Sequence, residues 1–334
     1  MKKGVKYLVI IMMVPMISHQ SLGQDHHFSQ LDAVIQYMNP ALTGMTWNEN
    51  FNWRLNTAYR TQWVGLVSKP YTNQFIGFDS PWKKGLGFGG YIINDRAGTG
   101  QMNTLNIMLG MAYKITIDPT NKHNMYGGFN IGLLNRTVNI SNLVFDSQFY
   151  IGSSGYEVSA DNNENIGNQS LWRFDANMGL YYRYNDKQIK YSPWGGFSLY
   201  RITMPNESFT SEVNRMPLHL NLMGGCDIAI NENSCLKPSF IIMFQGKARE
   251  YLPILIYEYK FDNSPWTALT GIADRIKDAA IFYVGAKYDE SQFRLSYDVN
   301  TSFLKNYTHS FGAVEFSIII VYDKNKPIFN RLLK

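Results

Sequence analysis

The chain has 334 residues, a formal net charge of +5, and aromatic and charged residues in nearly equal share, 15% and 17%. That balance is greasy for an exported soluble enzyme, and the small positive charge does not advertise nucleic acid as a partner. Beyond the first residues the longest apolar run is "FSIIIVY", 316–322, far short of the roughly 20 residues that a membrane helix needs, so a membrane-inserted form would have to be a closed barrel.

Residues 1–23 carry Lys2, Lys3 and Lys6, then the apolar run "YLVIIMMVPMI", then "SLG" ending at Gly23. This is the order of a secretory signal peptide, and Pro15 within so short a run argues against a membrane anchor. Removing it lowers the formal charge from +5 to +2. No cysteine follows, so no lipoprotein attachment is expected there. Residues 24–50 are too irregular for a strand and carry a turn signal at Asn39-Pro40, which predicts a periplasmic or lumen-plugging segment. Asp25, His26 and His27 could touch a metal, but no further His or Cys lies near them. A solvated segment is the preferred reading.

The stretch "FNWRLNTAYRTQW", 51–63, sets Phe51, Trp53, Leu55, Tyr59 and Trp63 on one face and Arg54, Asn56, Arg60 and Gln62 on the other. The period is two, so one face is oily and the other wet. The length fits the roughly 9 to 11 residues of a tilted membrane strand, with aromatic residues where the interfaces would fall. The pattern recurs in "TLNIMLGMAYKITID", "WRFDANMGLYYRY", "LHLNLMGGCDIAI" and "QFRLSYDVN". Fourteen strands are predicted, at 51–63, 72–79, 85–94, 103–117, 124–138, 171–184, 190–201, 216–230, 235–246, 250–261, 265–273, 279–289, 291–302 and 311–322. Counts of twelve to sixteen are also compatible with the pattern. Connections after even-numbered strands are short, whereas the two longest, 139–170 and 202–215, follow odd-numbered ones. The expected fold is therefore all-β: a transmembrane antiparallel up-and-down barrel over 51–322, with long external loops, both termini periplasmic and a periplasmic tail at 323–334.

Chemistry is sparse. "GLGFGG", Gly85 to Gly90, has the spacing of a dinucleotide loop, but "YIIND" after it reads as a continuing strand where a helix would be needed. Cys226 and Cys235 flank the turn "NENS", too far apart across a hairpin to form a disulfide. They are expected to be free thiols. His219 lies on a polar face and is expected to hydrogen-bond in the lumen. Arg54, Arg60, Arg173, Asp175, Arg183, Asp227, Lys237, Arg294 and Asp298 share the wet faces; their mixed signs favour ion pairs that brace the wall over a selective pore. Trp63, Trp82, Trp172, Trp194 and Trp266 fall near strand ends, as interface anchors do. No residues are assigned to catalysis, a metal or a cofactor.

"QDHHFSQ" (24–30), "YMNPALTG" (37–44), "YRTQW" (59–63), "GLGFGGYIINDRAG" (85–98) and "DAAIFYVGAKYDESQFRLSYDVNTSFL" (278–304), in that order, resemble the PorP/SprF family of Bacteroidetes outer-membrane proteins. The resemblance implies a barrel of the type IX secretion system that assists export or surface anchoring of a large secreted cargo, in some members a gliding adhesin. It implies a partner with a type IX C-terminal sorting domain, and periplasmic or lipoprotein components as further partners. Phe28, Asn39, Pro40, Tyr59, Arg60, Trp63 and Asp95 from these motifs, with the lumen-facing Arg54, are the candidate partner-binding or family-motif positions. A porin-like solute channel is the alternative from another class, to be separated by conductance. A lipid-acting barrel enzyme is a third reading, and His219 is its only candidate residue.

Overall fold

A computed structural model describes residues 27–46, 51–63, 69–98, 102–118, 120–138, 149–150, 155–156, 169–186, 188–209, 213–303, 305–308 and 310–323. The expected leader (1–23), Asp25, His26 and the tail beyond Asp323 lie outside these residues, as does most of the loop 139–170.

Fourteen strands close into one antiparallel barrel. They are β1 (Phe51–Gln62), β2 (Tyr71–Pro81), β3 (Leu86–Ala97), β4 (Met102–Thr116), β5 (His123–Val138), β8 (Gln169–Tyr184), β9 (Tyr191–Tyr200), β10 (His219–Ala229), β11 (Ser234–Gln245), β12 (Ala248–Lys260), β13 (Trp266–Arg275), β14 (Ala279–Tyr288), β15 (Ser291–Asn300) and β16 (Phe311–Asp323). Between β5 and β8, a minimal pair, β6 (Phe149–Tyr150) and β7 (Gly155–Tyr156), stands apart from the barrel. Each barrel strand pairs with its barrel neighbours in chain order, and β1 closes on β16 with Arg60 opposite Glu315. The strand count and boundaries follow the period-two reading closely. The segment 216–218, expected to open β10, belongs instead to the preceding loop, where Pro217 offers no backbone donor for a ladder.

Alternate side chains of each strand face outward. Leu109 is 68% exposed, Val284 59%, Phe282 53% and Phe78 50%, and the outward band they form is far larger than the apolar patches a soluble monomer tolerates. Among the described residues no helix is long and apolar enough to cross a membrane; the apolar outward band is carried by the strands. Aromatic pairs mark the rim where the short turns lie: Trp53 stacks on Tyr322 at 5.5 Å, Trp82 meets Phe88 at 5.4 Å and Trp266 meets Tyr288 at 5.0 Å.

Two aromatic expectations are corrected. Phe51 does not face outward with Trp53: the register slips between them, Phe51 is buried, and the Arg54 guanidinium lies over its ring at 5.5 Å. Trp194 is not an interface anchor. It pairs with lumen-facing Arg183 and stacks on Tyr181 at 5.8 Å, in space that Gly225 across the ladder leaves free.

The hydrophobic core lies inside the barrel. Phe75, Tyr91, Ile93, Met108, Leu252, Ile281 and Tyr283 from the wall meet Phe28, Leu31, Val34, Tyr37, Met38, Ala41 and Leu42 from the segment ahead of β1. The lumen is therefore not uniformly wet. That segment contains one helical turn, α1 (Ile35–Met38), between two 3-10 turns, Leu31–Ala33 and Pro40–Leu42. A second short helix, α2 (Lys305–Thr308), joins β15 to β16.

Candidate functional site

Three short turns in a row leave many backbone groups outside any ladder, and buried groups of this kind must find partners. In residues 27–46 they find them on the inner wall, at two places along the lumen.

The first bracket is charged. Ser29 and Gln30 donate their backbone N–H groups to Glu315 Oε2 and Oε1 at 2.6 and 3.0 Å. Arg60 pairs with Asp298 at 2.9 Å and Glu315 at 3.5 Å, with all three side chains essentially inaccessible, and donates to Ser29 Oγ at 2.6 Å. The Ser29 hydroxyl in turn donates to the Asp298 carboxylate at 2.8 Å. Arg275 bridges Asp298 at 3.2 Å and Glu250 at 3.1 Å, while Tyr283 donates to the Ser29 carbonyl at 2.8 Å. The Gln30 amide gives to Ser296 Oγ at 3.1 Å and takes from Arg294 Nε at 2.9 Å; Arg294 also pairs with Asp32. Cations and carboxylates thus compensate one another here, the condition under which buried charge is tolerated.

The second bracket is neutral at its centre and depends on missing side chains. Pro40 occupies the first turn of its 3-10 helix, and the Asn39 carboxamide caps it by accepting from Ala41 N at 3.0 Å. The same amide donates to the carbonyls of Leu180 at 3.1 Å and Phe197 at 3.3 Å. Ser198 Oγ donates to the Met38 carbonyl at 2.9 Å, Asn130 to the Gln36 carbonyl at 3.2 Å, and Tyr200 to the Tyr37 carbonyl. Gly128 and Gly179 face each other across β5 and β8. A Cβ on Gly179 would lie 2.1 Å from Asn39 Oδ1, and one on Gly128 2.4 Å from the Pro40 carbonyl. At the edge of this patch, Arg54 grips Asp79 at 2.6 and 3.0 Å and the Leu42 carbonyl at 3.3 Å, and Asp79 accepts from Gly44 N at 2.7 Å.

Phe28, Asn39, Pro40, Arg54 and Arg60 thus come together at the contact between the lumenal segment and the wall. The other three candidates do not join them. Tyr59 points outward, 47% exposed. Trp63 follows the end of β1 in a left-handed conformation (φ 59°) against Tyr71. Asp95 pairs in β3 with Asn73 of β2. Sequence reasoning passed over Asp79, Glu250, Arg275 and Glu315. For Glu315 the signal was an acid within the apolar alternation of the closing strand, yet its partner Arg60 lies almost a whole chain away.

Elsewhere on the inner wall, Lys237 and Lys287 share Glu258 and Arg183 pairs with Asp227 at 2.5 Å, the bracing that the mixed signs suggested. His219 is buried beside Tyr200 and contacts Asn221 Oδ1, as a lumen hydrogen-bonding residue would. The "GLGFGG" run enters one continuous strand, β3, and Gly87 lies against the backbone of Thr43 and Gly44. Both cysteines are free, and the register sets Gly225 opposite Ser239 and Ala229 opposite Cys235, which keeps the two sulfurs apart. His27 Nδ1 lies 3.2 Å from Glu250 Oε2.

The described part of the connection between β9 and β10 is tied to the wall and to itself. Ile202 N donates to the Ala176 carbonyl at 3.1 Å, Met216 N to the Pro205 carbonyl at 3.0 Å, and Arg136 pairs with Glu207. Val213 in this connection, and Phe303 and Tyr307 between β15 and β16, remain more than half exposed.

A family model described as type IX secretion system membrane protein PorP/SprF matches residues 20–320. Comparison with curated protein sequences gives no match. Among solved structures, the chain is similar to the toluene transporter TbuX of Ralstonia pickettii at 11% identity, with a TM-score of 0.50 over 86% of this chain and 92% of that one. The toluene transporter TodX of P. putida gives 10% identity and a TM-score of 0.49, over 89% and 94%. At such identities the likeness concerns the barrel fold alone.

Proposed function

Because the chain belongs to the PorP/SprF family of type IX secretion system membrane proteins, an integral outer-membrane barrel, we propose that it assists secretion of a large cargo protein or holds it at the cell surface, without catalysing a reaction. The observation that carries this reading is the filled lumen. Residues 28–45 are almost continuously buried against the wall and fixed at both ends of the barrel. A solute channel needs a free path, whereas a docking platform needs a rigid rim, and the plug supplies rigidity by tying β1, β15 and β16 to one another.

In this reading the mouth with the long connections faces outward, following the rule for such barrels, and β1 begins and β16 ends at the periplasmic mouth. Residues 139–170 and 202–215 are the cargo-docking loops, and the exposed Val213, Phe303 and Tyr307 add apolar contact area. Phe28, Asn39, Pro40, Arg54 and Arg60 act through the plug and do not touch cargo. The cargo carries a type IX C-terminal sorting domain, and periplasmic or lipoprotein components of the secretion system meet the other mouth.

The test is purification of the tagged barrel from its native membrane in mild detergent. A surface protein with that sorting domain should co-purify in stoichiometric amount, and the barrel alone should pass little current in a planar bilayer. Ready ion conduction with no accompanying surface protein would establish the porin-like alternative.

A further inference from the structure

Strand polarity fixes the direction in which the plug crosses the lumen. β12 starts at Ala248, directly after the connection 246–247 that follows an odd-numbered barrel strand, and β13 ends at Arg275, so both of these points lie at the long-loop mouth. The start of the plug is tied there: His27 to Glu250 at 3.2 Å, and the Phe28 carbonyl to Arg275 Nη2 at 3.5 Å. β2 ends at Pro81 and β3 starts at Leu86, on either side of a short turn, and the end of the plug is tied there, Gly44 N to Asp79 and Thr43 against Gly87. The polypeptide therefore enters at the long-loop mouth, runs down the lumen and leaves at the short-turn mouth, where it turns back up as β1. This direction rests on contacts with six separate strands, since Asp298 and Glu315 hold Ser29 near the end of β15 and the beginning of β16.

We infer that the amino-terminal end of the plug is displayed at the outer mouth, so that His27 and the chain entering there form part of the surface a secreted cargo meets, on the opposite side of the membrane from the end of β16. This rests on the outward orientation of the long loops proposed above. A barrel with an even number of strands keeps its first and last strand ends together; it is the threaded segment that carries the start of the described chain to the other side. At that rim the His27 side chain is about a quarter exposed, while the Glu250 carboxylate beneath it is held by His27 and Arg275 and anchors the start of the plug.

Single-cysteine reporters on intact cells test this, in a chain carrying Cys226→Ser and Cys235→Ser and labelled with a membrane-impermeant maleimide. Val213→Cys reports the loop 201–218 and Glu232→Cys the short turn 230–233, both at exposed positions. The expected result is that His27→Cys and Val213→Cys label on intact cells, while Glu232→Cys labels only after permeabilisation. Labelling of Val213→Cys but not of His27→Cys on intact cells overturns the inference and leaves the orientation standing. Labelling of Glu232→Cys alone on intact cells overturns both, and the Val213 reporter shows that the orientation failed. An epitope inserted between Asp25 and His26 keeps the His27–Glu250 pair in place: antibody binding on intact cells supports the inference, and binding only after permeabilisation overturns it.

Discussion

Arg60 stands between two carboxylates that have no water to turn to: Asp298 at 2.9 Å and Glu315 at 3.5 Å. Truncation to alanine leaves both acids facing each other and the Ser29 hydroxyl in an inaccessible site, a loss of about 3–5 kcal/mol for a broken buried ion pair. The Arg60→Ala variant is expected to unfold at clearly lower urea or temperature than the parent, measured by the shift between folded and unfolded gel mobility in detergent. A second expectation tests shape. Gly179→Ala and Gly128→Ala each place a methyl group inside contact distance of Asn39 and Pro40, so the plug must lift while the ladder remains. Limited proteolysis should then cut within residues 36–44 of these variants, under conditions where the parent resists and the far-UV spectrum is unchanged. Arg54 and Arg60 were legible as inward-facing residues because a strand alternates. Their partners were not, because the cross-strand register of β1 with β16 joins the two ends of the chain and leaves no local mark.

At the scale of elements, the plug and the wall divide the work. A chain lacking residues 28–45 still contains the residues of all fourteen barrel strands but loses the core that Phe28, Tyr37 and Leu42 share with Phe75 and Tyr91. It is expected to conduct in a planar bilayer where the full chain does not; silence from the truncated barrel would show that the plug is not what closes the lumen. The turn between β4 and β5 gives a pH-dependent expectation. Asp118 accepts from the Thr120 hydroxyl and from His123 N, and these bonds hold its carboxyl down at about 2, against an ordinary value of 3.8. A depressed acid stabilises above its unfolded value and loses that contribution as pH falls through the folded one. The turn should therefore stay ordered to about pH 4 and loosen between there and about 2. A carboxyl titration by NMR checks this, and Thr120→Ala should move its midpoint upward.

The whole molecule has its apolar surface on both sides of one sheet, toward hydrocarbon outside and toward the plug inside. The mature chain is expected to need detergent for solubility and to show a β-rich far-UV spectrum; a freely dissolved, helical polypeptide would contradict the fold. What the sequence by itself determined is the strand content, the outward face and the family, because a period of two and short polar turns are local properties that survive without any partner. Even the glycines of "GLGFGG" could be assigned to a strand from their flanks. Only the tertiary structure decided that Asn39 and Pro40 rest on a floor of glycines from β5 and β8, that Trp194 and Phe51 turn inward, and which mouth the plug enters. Each of these depends on which strands meet around the closed circle, and closure is a contact between residues far apart along the chain, so no stretch of sequence carries it alone.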